Sequence, residues 1–231
     1  MALNSTFWAP YIVKVFCREV QLLHETLNDR ILTNFKNIDR ESEEISQAEY
    51  DRIGSTPGGE YYDMEMAAEH AQEMGISHYE HMTGIRQGIL NLFAVAYWHV
   101  FEQQAMFFHR RQILNPSDEN NINKIKMSNF IEHLNDHSID LTKLKSWHKI
   151  VELEFVSNVI KHAEGRSAEA LRKIRPDLFL PLMSRDYNEK MAGRVFKPMM
   201  GEDIYLTQSD LGEYVEAVCT FWNEFAIVIS K

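Results

Sequence analysis

Turn-forming residues are scarce: the 231-residue chain carries only 10 glycines and 6 prolines. An all-β protein needs such residues at its many turns, so their scarcity points away from sandwiches and barrels and toward long helices. Cysteine is nearly absent. Cys17 and Cys219 are the only two, each inside an apolar helical pattern, with no Cys-x-x-Cys spacing. That excludes a disulfide scaffold and a zinc ribbon, and reads as buried free thiols in a reducing compartment. Positive charge is deficient as well, with a net charge of −10. Binding of duplex DNA is not expected from such a chain, because phosphate contacts need a cationic footprint. Long apolar runs are missing too: the longest uncharged stretch, between Arg86 and Glu102, is too short to span a bilayer. The opening "MALNSTFWAP" has neither a basic region nor an apolar core of the signal-peptide kind. A soluble cytoplasmic protein without a membrane partner is the expectation.

What the chain does have is helical periodicity. Apolar residues recur in steps of three and four at Ile12, Phe16, Val20, Leu23, Leu27 and Ile31, with Pro10 suited to a first helical turn. This predicts a long N-terminal helix over about 10–50. "GSTPGG" at 54–59 is the clearest loop. A helix over 61–74 is expected to pause at Gly75, with Ser77 capping the next. "GILNLFAVAYWHVFEQQAMFFHRRQIL" is apolar nearly all round and reads as a buried central helix. A short helix near 124–136 follows. A further long helix runs from Leu141 with Trp147, Ile150, Val151, Leu153, Phe155 and Val159 on its inner face. Ser167 opens a short helix that ends before Pro176. Val195–Phe196 and Ile204–Leu206 can pair as a small hairpin within 195–206, and a last helix covers about 208–229 behind a Thr207 or Ser209 cap. No repeat or flexible linker divides the chain. The expectation is one all-α domain over 1–231, an antiparallel helical bundle with extra terminal helices.

Ten histidines raise the question of a metal bundle. No histidine has an acidic residue three positions before it, so the Glu-x-x-His pairs of di-iron bundles are missing, as is His-Glu-x-x-His. No metal site and no cofactor are expected. Glycine-rich phosphate loops after a strand are also missing. The chemistry-bearing candidates lie in "FVSNVIKHAEGRS", residues 155–167. Asn158 and His162 are four apart and share a helical face, and Lys161 joins that side. The dipole at a helix C-terminus favours an imidazolium there, the state a general acid requires. The alternative is that Lys161 and His162 simply satisfy the last carbonyls of the helix. On the central helix, Glu102 follows Trp98 and His99 among apolar residues. It must reach solvent or find a core partner such as Trp147 or Tyr97.

"SNVIKHAEGRSAEALRKIRPDLF" and "YWHVFEQQ" resemble the motif helix and companion helix of the HEPN superfamily, small all-α domains of prokaryotic toxin and antiviral systems. The resemblance covers about residues 78–180. It implies a signature of Arg, four to six residues often beginning with Asn, then His, serving metal-independent RNA cleavage. In that signature His works on the ribose 2′-oxygen and Arg holds the phosphate. Asn158 and His162 match, but Ser157 stands where the Arg belongs. A lone formal match, Arg18 to His24, lies on the first helix and is six residues apart. The resemblance further implies a homodimer with motif helices facing, and an acidic residue, here Glu102, near His162.

The resulting expectation is a HEPN-like protein of a bacterial or phage-related defence or toxin–antitoxin context. Its ribonuclease site is degenerate, and it binds a nucleotide, an RNA end or a partner protein. His162, Asn158 and Glu102 are the expected catalytic positions; Lys161, Arg166 and Ser157 are the expected ligand side. The alternatives are an active metal-independent endoribonuclease, with Lys161 or Arg166 replacing the Arg, and a structural partner that dimerises without a ligand.

Overall fold

Helix α1 (Ser5–Tyr11) starts ahead of Pro10, not at it: Asn4 caps the helix by accepting from the Phe7 N–H at 3.3 Å, and Pro10 lies inside. The chain then winds through a π turn at Ile12–Phe16, helix α2 (Cys17–Thr26), a second π turn at Leu27–Ile31 and a 3₁₀ turn at Leu32–Phe35. Helix α3 (Ile38–Ser55) follows. The single N-terminal helix expected from periodicity is thus a helical path whose pitch changes several times. The remaining helices are α4 (Met64–Phe108), α5 (Met127–Asp136), α6 (Trp147–His162), α7 (Arg166–Ile174) and α8 (Gln208–Ile229). The computed structural model describes residues 4–56, 63–182, 185 and 203–230, and among these no strand occurs. The fold class is all-α. Val195–Phe196 of the expected hairpin lies outside the described residues, and Ile204–Leu206 is irregular. Its Tyr205 N–H donates to the Leu178 carbonyl at 2.8 Å.

Two compact units emerge, Thr26–Ile89 and Met1–Glu25 with Leu90–Lys231. In the smaller unit α3 runs against the first half of α4. Glu41 meets His78 at 3.7 Å and Glu49 meets His70 at 3.3 Å, so positions rise on one helix as they fall on the other, and the pair is antiparallel. Gly75 sits between these contacts and does not pause the helix. A Cβ built there lies 2.7 Å from the Ser42 carbonyl oxygen and 3.1 Å from the Ser46 Cβ. Glycine is used here for close helix approach, which explains how α4 continues unbroken through a residue that reads as a stop.

The larger unit is centred on α8. Phe221 and Phe225 stack with ring centroids 5.9 Å apart, and Phe101, Phe108, Phe130 and Trp222 close around them, all fully buried. Burying rings of this size contributes most of the favourable energy of such a core. Its deep amides are satisfied: Gln104 accepts from the Trp222 indole N–H at 2.7 Å and donates to the Phe16 carbonyl and to Glu19 at 3.0 and 2.9 Å, and Asn91 donates to the Ile204 carbonyl at 2.8 Å. Helix α8 begins with a capping box in which Thr207 and Asp210 bond each other's backbone N–H.

Candidate functional site

Helix α6 is the element on which sequence placed the chemistry. Its buried positions are Ile150, Glu152, Leu153, Val156, Ser157 and Val159. Ser157 is fully buried, and its hydroxyl has no hydrogen-bond partner among the described residues. Ser157 is therefore not on the ligand side: it faces the core. Asn158 is half-buried, whereas Lys161, His162 and Arg166 are exposed. The helix stops at Ala163, which adopts φ 57° and ψ −122°. That region suits glycine and strains an alanine. Helix α7 restarts at Arg166, held by the paired Arg172 and Glu164 side chains.

No hydrogen bond or ion pair joins Glu102 to His162, Trp147 or Tyr97. The Tyr97 hydroxyl instead meets His24 Nδ1 at 2.8 Å. Glu102 lies close enough to Glu154 of α6 to act on its titration. Burial raises the Glu154 carboxyl above the usual range, the Glu102 charge raises it further, and Lys161 opposes both. Helical geometry accounts for the exchange of partner. Glu154, Asn158 and Lys161 are spaced i, i+4, i+7 and form one stripe, while His162 lies further round the helix. The polar stripe of α6 that relates to Glu102 therefore contains Glu154 and Lys161, with Asn158 between them.

On its other side Glu102 lines a cleft of about 380 Å³ together with Gln103, Met106, Phe107, Arg110, Arg111, Ile125 and Lys126. Three cations face one carboxylate there, in a chain whose overall charge is strongly negative. Two of the cations are held in place. Arg110 donates to the Glu119 carbonyl at 3.1 Å and to Asn120 Oδ1 at 3.2 Å, and Arg111 pairs with Glu119 at 2.5 Å. The Lys126 ammonium makes no ion pair or hydrogen bond among the described residues, and Lys126 is the N-terminal flanking residue of α5. A π turn at His109–Ile113 delivers the two arginines. Of the residues singled out from sequence, only Glu102 lines this cleft. The signal for the others was present as "HRRQ" directly after the apolar helix, where two guanidinium groups must leave the core.

A second polar cluster was not legible at all. Arg175, just before Pro176, reaches Glu152 at 2.7 Å, Asp210 at 2.6 Å and Asp177 at 2.8 Å. Glu152 Oε1 also accepts from Lys149 Nζ and from the Tyr214 hydroxyl, each at 2.8 Å. The bonds from Asp177 and Asp210 hold the Arg175 guanidinium more firmly protonated than usual. Burial alone raises the Asp210 carboxyl, yet Arg175 and Thr207 bring it below the ordinary carboxylate range. Every member is engaged with another, so the cluster ties α6 and α8 to the segment after α7. It leaves no cation free for a ligand.

His109 is the third group of note. It is fully buried, and its Nε2 lies 2.9 Å from His133 Nδ1. Burial, aided by the His133 charge, pulls its pKa down to about 4, so the fold holds it neutral. No group of three or more His, Cys, Asp or Glu side chains among the described residues is placed to hold a metal ion. No helix among them is long and apolar enough to cross a membrane. No family model, no curated protein and no solved structure matches the chain.

Proposed function

We propose that this chain is a HEPN-like helical module that binds a phosphate-bearing ligand, a nucleotide or an RNA end, and does not cleave RNA. The carrying observation is the cleft lined by Arg110, Arg111 and Lys126, with Glu102 its one lining carboxylate. Its volume falls within the roughly 300–1,000 Å³ of small-ligand sites. The loop bonds that fix Arg110 and Arg111 reduce the ordering cost of binding. Arg is suited to bidentate contact with phosphate, and Lys126, without an ion-pair partner among the described residues, adds a point charge. Phe107, 42% exposed at the same cleft, offers an aromatic face for a base.

The non-catalytic half of the reading is supported by Ser157. The position that carries the phosphate-holding Arg in the resembled signature is sealed in the core here. Losing one aimed donor typically costs about 10²–10³ in rate. His162, moreover, has no carboxylate partner among the described residues to orient it. A defence or toxin–antitoxin setting is part of the same proposal.

The test is fluorescence anisotropy with a short 5′-phosphorylated RNA and with a nucleotide monophosphate competitor. Binding should weaken as salt rises. The Arg111→Gln/Lys126→Glu double variant should bind at least about tenfold more weakly, and His162→Ala should bind like the unmodified chain. Binding indifferent to the double variant sinks the cleft. Metal-independent RNA cleavage that disappears in His162→Ala revives the nuclease alternative.

A further inference from the structure

Cys17 opens α2 and Cys219 lies in α8, 202 positions away. Their thiols meet reciprocally. The Cys17 Sγ–H approaches the Cys219 carbonyl at 3.6 Å, and the Cys219 Sγ–H approaches the Cys17 carbonyl at 3.7 Å. Packing fixes this arrangement from the neighbouring residues: Phe16, adjacent to Cys17, stands edge-on to Trp222, three residues beyond Cys219, at 4.9 Å. Both cysteines are free, Cys17 buried and Cys219 half-buried. One face of the pair therefore reaches solvent.

We infer that Cys17 and Cys219 are a redox modification site, an oxidisable dithiol that a hydroperoxide closes to an intramolecular disulfide joining α2 to α8. The helices already bring each thiol to the other cysteine's backbone, so the reaction needs side-chain movement to the bonded distance of about 2.05 Å. The neighbouring Cys219 holds the Cys17 thiol below the ordinary range, while Cys17 and burial push the Cys219 thiol up. Cys17 is thus the first of the two to ionise, and the thiolate is the nucleophile.

The Cys17 thiolate attacks the peroxide oxygen. The O–O bond breaks, and the alkoxide or hydroxide leaving group takes up a proton, leaving Cys17 as a sulfenic acid. The Cys219 sulfur then attacks the sulfenic sulfur. The S–S bond forms, the S–O bond breaks, and water leaves with the Cys219 proton. The net change is two thiols and one hydroperoxide to one disulfide, one alcohol (or water) and one water. A dithiol reductant reverses it by exchange. The bond closes a loop of about two hundred residues, the regime in which cross-linking constrains the unfolded chain most.

The experiment exposes the reduced full chain to a stoichiometric alkyl hydroperoxide. It is then denatured with excess N-ethylmaleimide and weighed by intact mass spectrometry. Before oxidation two maleimides should add. Afterwards none should add, the mass should be 2 Da lower than that of the reduced chain, and proteolysis should yield a peptide linking Cys17 to Cys219. The oxidised protein should melt several degrees higher, with the rise abolished by dithiothreitol. Cys17→Ser and Cys219→Ser should each add one maleimide when reduced and show no such rise. Two reactive thiols after oxidation, gains of 16 or 32 Da without a 2 Da loss, or only intermolecular cross-links would overturn the proposal. The mass readout uses the natural chain and stands even where a serine variant fails to fold.

Discussion

The Tyr214 hydroxyl donates to Glu152 Oε1 at 2.8 Å inside the contact between α6 and α8, on the same oxygen that receives Arg175 and Lys149. One carboxylate oxygen thus gathers three donors from three parts of the larger unit. Removing the central cation leaves Asp210 buried without its charge partner and Glu152 with Lys149 alone. Arg175→Met should lose about 3–5 kcal/mol of stability, the cost of an uncompensated buried charge. Glu152→Gln, which keeps an acceptor for Tyr214, should lose less. Urea denaturation of the two variants gives the order, and a harmless Arg175→Met would remove the cluster as a structural tie.

Ser157 offers a sign test. Its buried hydroxyl makes no bond among the described residues, so Ser157→Ala should be neutral or stabilising by up to about 1 kcal/mol. Ser157→Arg should be severely destabilising, by about 3 kcal/mol or more, because the guanidinium enters the core. The variant that looks like restoration of a nuclease signature should instead unfold at lower temperature, without gaining RNA cleavage. A folded Ser157→Arg protein that cleaves RNA would show that this face of α6 opens.

His109 sets an acid limit. Its native pKa of about 4 lies below the ordinary 6.5, so the folded state refuses a proton that the unfolded state accepts. Above pH 6.5 both states are neutral and the stability is fully present. Between 6.5 and about 4 it declines, by roughly 3 kcal/mol in total, and below that this group has no further effect. Carboxylates titrate in part of the same window. The informative quantity is therefore the difference between the stability curves of the natural chain and His109→Phe, which should slope through that window and be flat above it.

Gly75 reverses a familiar rule. A glycine inside an exposed helix usually gains about 0.5–1 kcal/mol on replacement by alanine. Here the added Cβ would lie 2.7 Å from a backbone oxygen of α3, which has no flexible end to move aside. Gly75→Ala should therefore destabilise, by about 1–3 kcal/mol, with Gly84→Ala as the open-space control on the same helix. Thermal melts of the two would separate close packing from helix propensity.

The helices were legible because each buries a face at a period near 3.6, and Thr207 announced its cap correctly. The orientation of Ser157 was legible too: it lies seven residues after Ile150 and four after Leu153, both on the apolar face. The resemblance to a signature directed attention to its chemistry and away from that face. Gly75 read as a stop because the sequence of α4 alone does not record how near Ser42 comes. Glu102 was rightly marked as a polar group on an apolar helix, but its neighbour depended on which stripe of α6 turned toward it. The Arg175 cluster and the Cys17–Cys219 pair join residues dozens to hundreds of positions apart, and no local pattern encodes such meetings.

The π turn at His109–Ile113 has a consequence for inheritance. The Leu114 N–H reaches back five residues, to the His109 carbonyl at 2.9 Å, so this turn holds one residue more than an α turn. Deleting one residue here would restore ordinary winding and swing everything after it by about 100°. His109 would leave the core, or Arg110 and Arg111 would leave the cleft. A lineage can therefore change many side chains along this helix more safely than it can lose a single position in this turn. In any distant relation of this chain, the length of the segment between Phe108 and Leu114 should be kept longer than its letters.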